Sequence, residues 1–498
     1  MMRVVLIHLN GVDNVASRLM HALLDKAGIE VHSVFFREII KTDIEPTKKE
    51  LDTLISQVIH LKPDLIGFGV NSMRFHDAAN ITKLIKEKIN VKVIWGGVQA
   101  SLEPKRALDY ADYVCMDEGD KSFTDLIRKL EKKEDITFVK NIWFKKGSRI
   151  IKNTSRELVT DLDSLPFPDF TDKNKTYILD GNVYNKNPVV STTFYYVIST
   201  SRGCPFNCNY CFNHLLNAKY KNKYLRRRSV DNVIKELKLA KKKFPKLRII
   251  YFYDDVFIMD KKWLSEFSVK YKKEINLPFD CFAHSNMINP EVMDLVKRSG
   301  LKKIALGLQS GSDRIRRIYD RFETNESILK AARIIKKYKV QLSYDLIASE
   351  FETPNDIKEG FYFFLKLPKP FSIFSNKMTY YPEYKITKMA LEKGFITQDK
   401  VVSYNDERVC QPLELEDLNK YIYINYFHLM GKRYFPNFLI KYMFENKFDK
   451  NHPKFLITLA KILRRIDNLD YNLHSLMNLI LSGEFKFIYS RIKFFFLK

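Results

Sequence analysis

Two successive strand–helix alternations and a change of composition near residue 385 predict an α/β protein with three parts. The first roughly 135 residues alternate β-branched runs with helical stretches, which predicts a doubly wound parallel sheet with helices on both faces. A second alternation of six β-α units starts near residue 192. Six units are too few for a closed eight-stranded barrel and suit a partial (β/α)6 barrel. The remainder is mainly helical, basic and aromatic. The expected domains are therefore 1–135, a linker over 136–190, a barrel over 191–385 and a helical region over 386–498.

In the first domain "RVVLIHL" (Arg3–Leu9) reads as a buried strand. "NVASRLMHALLDKAG" has helical spacing and stops at Gly28. "IEVHSVFF" is the next strand, and "KELDTLISQVIHLKP" is a helix ending before Pro63. "DLIGFGV", "VKVIWGG" and "DYVCMDEG" supply three more strands. Ligands of such sheets lie beyond the carboxyl ends of the strands. Those ends carry Asn10-Gly11, Asn71-Ser72, Gly96-Gly97 and Glu118-Gly119. Glycine there lets backbone approach a large ligand, or simply makes a tight turn. "LDSLPFPDF" has two closely spaced prolines and reads as extended linker. The barrel strands are "FYYVIST", "LRIIYFY", "FDCFAHS", "KKIALGL", "QLSYDLIA" and "FSIFSNKMTYY", each separated by a helical stretch.

The chain carries 84 Lys and Arg against 59 Asp and Glu, a formal charge of +25. Such an excess steers anions or acidic surfaces toward a protein. No basic recognition motif accompanies it, so nucleic acid is not an expected partner. No apolar run approaches the roughly 20 residues of a membrane-spanning helix. The opening "MMRVVLIHLNG" lacks a signal-cleavage pattern. A cytoplasmic protein with reduced thiols is expected. The ending "FKFIYSRIKFFFLK" interleaves aromatic and basic residues. It reads either as an interfacial helix giving peripheral contact with the inner face of an anionic membrane or as a helix docked on the barrel.

Three of the six cysteines fall within "TSRGCPFNCNYCFN", at Cys204, Cys208 and Cys211, directly after the first barrel strand. Chemistry is expected at that end of a barrel. Clustered thiols in a reducing compartment point to metal. His214 could complete a three-Cys, one-His zinc site, although zinc ligands usually come as paired knuckles and no second pair exists. Cys-x3-Cys-x2-Cys can instead hold three irons of a 4Fe–4S cubane and leave the fourth open to substrate or cofactor. A pure electron carrier would close the site with a fourth cysteine. Cys115, Cys281 and Cys410 stand singly and read as buried small hydrophobes.

The cluster loop, with Tyr210 before its last cysteine, resembles that of the radical SAM superfamily. Further matches follow in order. "YFYDDVF" (Tyr251–Phe257) resembles the second-strand motif that meets the amino group of S-adenosylmethionine, and Asp254 and Asp255 hold the matching place. "GLQSGS" (Gly307–Ser312) resembles the fourth-strand ribose motif, with Gln309 where Glu is frequent and Ser310 beside it. Ser285 ends the third strand. "YDLIASEFETP" (Tyr344–Pro354) is similar to the fifth-strand motif but has Ala348-Ser349-Glu350-Phe351 in place of Gly-Leu-Pro-Gly. "VIWGGVQAS" and "ADYVCMDEGDKSFTDLI" are similar to segments of the cobalamin-binding domain of one large class, so the resemblance covers about residues 1–385. The Asp-x-His-x-x-Gly motif that supplies a lower histidine ligand is absent. The loop reads "HLNGVDN".

This resemblance implies a 4Fe–4S cluster on Cys204, Cys208 and Cys211, with Tyr210, Asp254, Asp255, Ser285, Gln309 and Ser310 around S-adenosylmethionine. It implies cobalamin bound by Asn10, Ser72, Gly96 and Gly97. The reaction implied is cleavage of S-adenosylmethionine to a 5′-deoxyadenosyl radical and methylation of an unactivated carbon of a small or lipid-linked substrate. It also implies an electron donor such as flavodoxin or ferredoxin. Two alternatives stand beside it: a radical SAM cyclisation, rearrangement or C–S bond formation without methyl transfer, and a basic metal-bound interaction protein.

Overall fold

The computed structural model describes residues 2–462 apart from 10, 12–13, 38–44, 189, 191–192, 222, 402–422 and 461. The N-terminal part runs β1 (Arg3–His8), α1 (Val15–Lys26), β2 (Glu30–Phe36), α2 (Lys48–His60), β3 (Leu65–Gly69), α3 (Phe75–Lys88), β4 (Lys92–Gly96), α4 (Val98–Leu102), α5 (Pro104–Ala107), β5 (Tyr113–Cys115) and α6 (Ser122–Glu131). Then come β6 (Ile142–Lys146), β7 (Arg149–Lys152), β8 (Lys175–Leu179) and β9 (Asn182–Tyr184). Together they make one nine-stranded sheet of order β7-β6-β5-β4-β3-β1-β2-β8-β9. The central strand is buried throughout from Val4 to His8, because helices cover both faces. The chain leaves β1 for β2 on one side and returns to β3 on the other, so the strand order reverses at β1.

The stretch 136–190, expected as a linker, contributes four of these strands. Its short segments pair antiparallel at one edge (β5 with β6, β6 with β7), while β8 extends the other edge parallel to β2. Edge strands of three to five residues carry too little alternation to stand out in sequence.

The second part runs β10 (Tyr195–Ile198), β11 (Ser201–Arg202), α7 (Phe212–Lys219), β12 (Arg226–Arg227), α8 (Val230–Lys243), β13 (Ile249–Phe252), α9 (Lys261–Glu274), β14 (Phe279–Ala283), α10 (Pro290–Ser299) and β15 (Leu301–Gln309). It continues through α11 (Asp313–Ile318), α12 (Asn325–Lys337), β16 (Gln341–Ala348), α13 (Pro354–Lys366) and β17 (Ser372–Lys377). The six long strands pair parallel in chain order, and β10 and β17 do not meet. This is the expected partial barrel. Its outward faces pack on α8–α10, α12 and α13 in one large core that includes Phe252, Phe267, Ile304 and Phe364.

Beyond the barrel lie α14 (Lys385–Glu392), α15 (Ile424–Met430), α16 (Asn437–Glu445) and α17 (Phe448–Asn451). This is the expected helical region. Phe427 of α15 stacks on Phe364, and Phe444 of α16 stacks on Phe361. The final basic–aromatic segment lies outside the described residues. No helix among the described residues is long and apolar enough to cross a membrane.

Candidate active site

The three cysteines sit in the loop between β11 and α7. Gly203 starts that loop at φ +91, and a Cβ there would lie 2.7 Å from the Tyr224 ring. Asn217 of α7 ties the loop down by donating to the carbonyls of Cys204 (3.0 Å) and Phe206 (3.3 Å). Cys211 is the residue from which α7 starts, so the helix N-terminus favours negative charge beside it. Cys208 is buried, Cys204 and Cys211 are half-buried, and none is in a disulfide. Among the described residues no three His, Cys, Asp or Glu side chains converge on a point that would hold one ion. His214 spends Nδ1 on the Cys211 carbonyl at 2.5 Å. A cubane needs no such convergence, since each thiolate takes a different iron. The donor set of three reduced cysteines in one loop fits the cluster.

The two adjacent aspartates after β13 have different surroundings. Asp254 is buried and accepts from the Thr200 amide (2.9 Å), the Thr200 hydroxyl (2.9 Å) and the Ser201 hydroxyl, which fixes the strand end that carries the loop. Asp255 is exposed, and its charge bears on Cys204 and Cys211. Ser285 is buried with an unpartnered hydroxyl oxygen, an open valence for a ligand. Gln309 sits at φ +66 where the β15–β16 register shifts, and such bulges re-aim side chains near functional sites. Its side chain lines the barrel cavity together with Tyr210. Ser310 is buried and donates to Glu352 at 3.3 Å. Burial raises the Glu352 carboxyl to about 7 despite bonds from Tyr423, Ser349 and Ser310.

The Gly-Ser motif has a packing reason. A Cβ on Gly311 would lie 2.5 Å from Gly360 of α13, so that helix presses directly on the loop. The Glu-Thr-Pro motif has a capping reason. Thr353 caps α13 in a box with Asp356, and Pro354 takes the first turn, where its missing N–H costs nothing.

Sequence reasoning missed Arg321. Its buried guanidinium lies 3.6 Å from Cys208 Sγ and 3.4 Å from the Tyr210 hydroxyl, and it donates to the Gly307 carbonyl at 2.5 Å. Glu323 pairs with it and accepts from His284, whose ring stacks on Phe206 at 3.9 Å. Burial alone would raise the Glu323 carboxyl, but His284 and Arg321 hold it down near 2. One arginine in a chain this basic gives no signal of its own.

At the carboxyl ends of β1, β3, β4 and β5 lies a cavity of about 310 Å³. Gly67, Gly69, Gly96, Gly97 and Gly119 line it. Gly97 sits at φ +97, and a Cβ on it would lie 2.7 Å from the Val70 carbonyl oxygen. A Cβ on Gly69 would meet nothing within 4 Å. Side chains are thus withheld along the switch-point edge, which fits backbone contact with a large flat ligand. Ser72 is not part of the lining and donates to Gln99 at 2.7 Å. Asn10 lies outside the described residues. His8 reaches the cavity wall, but its Nε2 is 3.0 Å from the Ser33 hydroxyl and burial holds the ring neutral. Buried Cys115, also in the wall, has its thiol pushed up to about 12.

Ion pairs join the two sites. Asp117, Glu118 and Asp120 follow β5, and Asp117 lines the cavity. Arg202, Lys219 and Arg226 flank the cysteine loop. Arg202 meets Asp120 at 2.6 and 3.0 Å, Arg226 meets Glu118 at 2.5 and 3.0 Å, and Lys219 pairs with Asp117. The acidic loop at the border of the glycine-lined cavity is therefore tied to the elements that flank the thiol loop along a common seam.

Two family models match. The radical SAM superfamily model covers residues 198–361 and the B12 binding domain model covers residues 5–127. The chain therefore holds a B12 binding domain over residues 5–127 followed by a radical SAM domain over residues 198–361, in the order the sequence resemblance implies. The uncharacterized methyltransferase PH0819 of Pyrococcus horikoshii is 26% identical over 340 residues, 67% of this chain and 71% of that protein. The cobalamin-dependent S-adenosylmethionine radical enzyme OxsB, solved with aqua-cobalamin and S-adenosylmethionine, superposes with a TM-score of 0.60 at 20% identity over 79% of this chain and 56% of OxsB. The radical S-adenosylmethionine methyltransferase TsrM of Kitasatospora setae, with cobalamin and a [4Fe-4S] cluster, superposes with a TM-score of 0.60 at 15% identity over 79% of this chain and 75% of TsrM. The chain thus spans just over half the length of OxsB and about three quarters of the other two.

Proposed function

We propose that this protein is a cobalamin-dependent radical SAM methyltransferase acting on an unactivated carbon. The observation that carries the reading is the seam of ion pairs setting a glycine-lined switch-point cavity against a three-thiol loop. When bound, the cluster supplies the electron that cleaves S-adenosylmethionine, and cobalamin supplies the methyl group. Cys204, Cys208 and Cys211 hold the cluster. Asp255 and the open Ser285 hydroxyl receive the polar end of S-adenosylmethionine, and Arg321 offers a fixed cation to its carboxylate. Gln309 and Tyr210 line the adjoining wall of the barrel. Gly96, Gly97 and their neighbours take the corrin by backbone contact. The closed seam keeps water from the reacting groups. An external one-electron donor of the flavodoxin or ferredoxin kind restores the cluster, and the substrate is a small or lipid-linked molecule.

The test is product analysis of the anaerobically reconstituted enzyme with cobalamin, reductant and candidate substrates. S-adenosylhomocysteine formed together with 5′-deoxyadenosine is the expected result. 5′-Deoxyadenosine alone would favour a radical reaction without methyl transfer.

A further inference from the structure

The helices that follow the barrel are apolar on two sides, and the barrel covers one of them. In α16, Ile440 and Met443 are buried in the barrel core, and Phe444 stacks on Phe361. Phe438, Leu439 and Tyr442 lie on the other side of the helix, 76%, 37% and 58% exposed. A helix that is apolar all round calls for cover on every side. The helical stretch 453–460 repeats the pattern: Leu456 and Ala460 are buried, while Phe455 is 55% exposed. The outer residues form one continuous surface. Phe438 lies one turn before Tyr442 on the same helix face. The Tyr442 and Phe448 ring centroids are 6.3 Å apart, and those of Phe448 and Phe455 are 6.4 Å apart. A contiguous exposed patch of this kind marks an interaction site.

The charges on these helices are mostly of one sign. Among the described residues from 433 to 460, Arg433, Lys441, Lys447, Lys450 and Lys454 are exposed, against one exposed acid, Glu445. Glu445 accepts from the Tyr362 hydroxyl at 3.1 Å and pairs with Lys441 at 3.7 Å. Half-buried Asp449 accepts from the Tyr426 hydroxyl at 3.3 Å. Aromatic rings flanked by lysine suit the headgroup region of an anionic bilayer, where the rings enter the acyl boundary and the ammonium groups meet phosphate. A second copy of the same face fits less well, because pairing would set like charges against each other. Residues 463–498 follow from this surface, and their stretch 485–498 holds four basic residues and no acidic one.

We propose that this surface docks the protein on an anionic lipid bilayer, with Phe438, Tyr442 and Phe455 entering the headgroup region and Lys441 and Lys454 meeting lipid phosphates. The docking goes beyond the proposed methyl transfer and does not depend on it, since none of these residues lines the cysteine loop, the barrel cavity or the glycine-lined cavity.

Flotation of the reconstituted full-length protein with vesicles tests this, using phosphatidylcholine alone and phosphatidylcholine mixed with phosphatidylglycerol. Binding to the mixed vesicles, weakened by high salt, is expected. Phe438→Ser, Tyr442→Ser and Phe455→Ser combined should lower that binding about tenfold. Lys441→Gln with Lys454→Gln should lower it mainly at low salt. Iron content and melting temperature, unchanged in both variants, report an intact fold. Light scattering without vesicles reports on a second copy as the occupant. A wild type that ignores the mixed vesicles, binding that survives both sets of substitutions, or a dimer that the serine variant dissolves would overturn the proposal. So would binding lost on Arg491→Glu with Lys493→Glu but kept by the serine variant, which would put the contact in the terminal stretch instead.

Discussion

The mixed N-terminal sheet and the parallel barrel sheet are tied together by ion pairs near the carboxyl ends of their strands, yet they prepare those ends in opposite ways. The N-terminal edge removes side chains: five glycines line its cavity, and its buried histidines are held neutral. The barrel edge adds chemistry: three thiols, an unpartnered serine hydroxyl and a buried arginine. A large preformed ligand needs room and backbone contact, while a reaction centre needs placed charges. The difference teaches that shape and electrostatics are divided between two domains and joined by the Asp117–Glu118–Asp120 seam.

The largest effect expected on that division is from Cys208→Ala. It should abolish iron binding and all S-adenosylmethionine cleavage while cobalamin uptake by the other edge persists, as read by metal analysis and visible spectra. Next comes Arg321→Gln. Truncating a buried charge-paired group costs roughly 2–5 kcal/mol. The KM for S-adenosylmethionine should rise and the spectrum of the bound cluster should shift, with Glu323→Gln added to relieve the orphaned carboxylate. A smaller effect is expected from Gly69→Leu. The new side chain enters open space, so the fold should hold while cobalamin affinity falls by about tenfold, or 1.4 kcal/mol. Retained 5′-deoxyadenosine formation would show the barrel edge untouched.

The smallest effect is on pH dependence, and its sign differs between the two regions. Burial lowers His21 to about 3 and His32 to about 4 from an ordinary 6.5. The unfolded chain therefore binds protons first, and the N-terminal sheet loses stability as pH falls from about 6.5 toward those values. Burial raises Asp280 and Asp345 from 3.8 to about 6. Their contribution is fully present below 3.8 and is lost as pH rises through 6. Hydrogen exchange between pH 6.5 and 4.5 should show protection falling in β1 and β2 and rising in β14 and β16. Parallel loss in both regions would contradict this division.

Much of this was legible in sequence. The eleven strands read from β-branched runs all form, because central parallel strands are apolar throughout and bounded by helices of clear period. The cysteine loop and Gly96-Gly97 were also legible, since spacing and local backbone demands sit in consecutive residues. What escaped has non-local causes. The four edge strands of 136–190 take their structure from a sheet already built. The place of Arg321 beside Cys208 and Tyr210 arises only when the fold brings distant residues together. Asp254 and Asp255 read alike as neighbours, and their different environments appear only once the strand end is fixed by Thr200 and Ser201.

The central claim is a cluster held by three cysteines with one iron left for S-adenosylmethionine. Its most direct test is metal analysis and electron paramagnetic resonance of the protein reconstituted anaerobically with iron and sulfide. About four irons per chain, in a reduced cluster whose signal changes when S-adenosylmethionine is added, is the predicted result. Zinc in place of iron, or a cluster whose signal ignores S-adenosylmethionine, would contradict it.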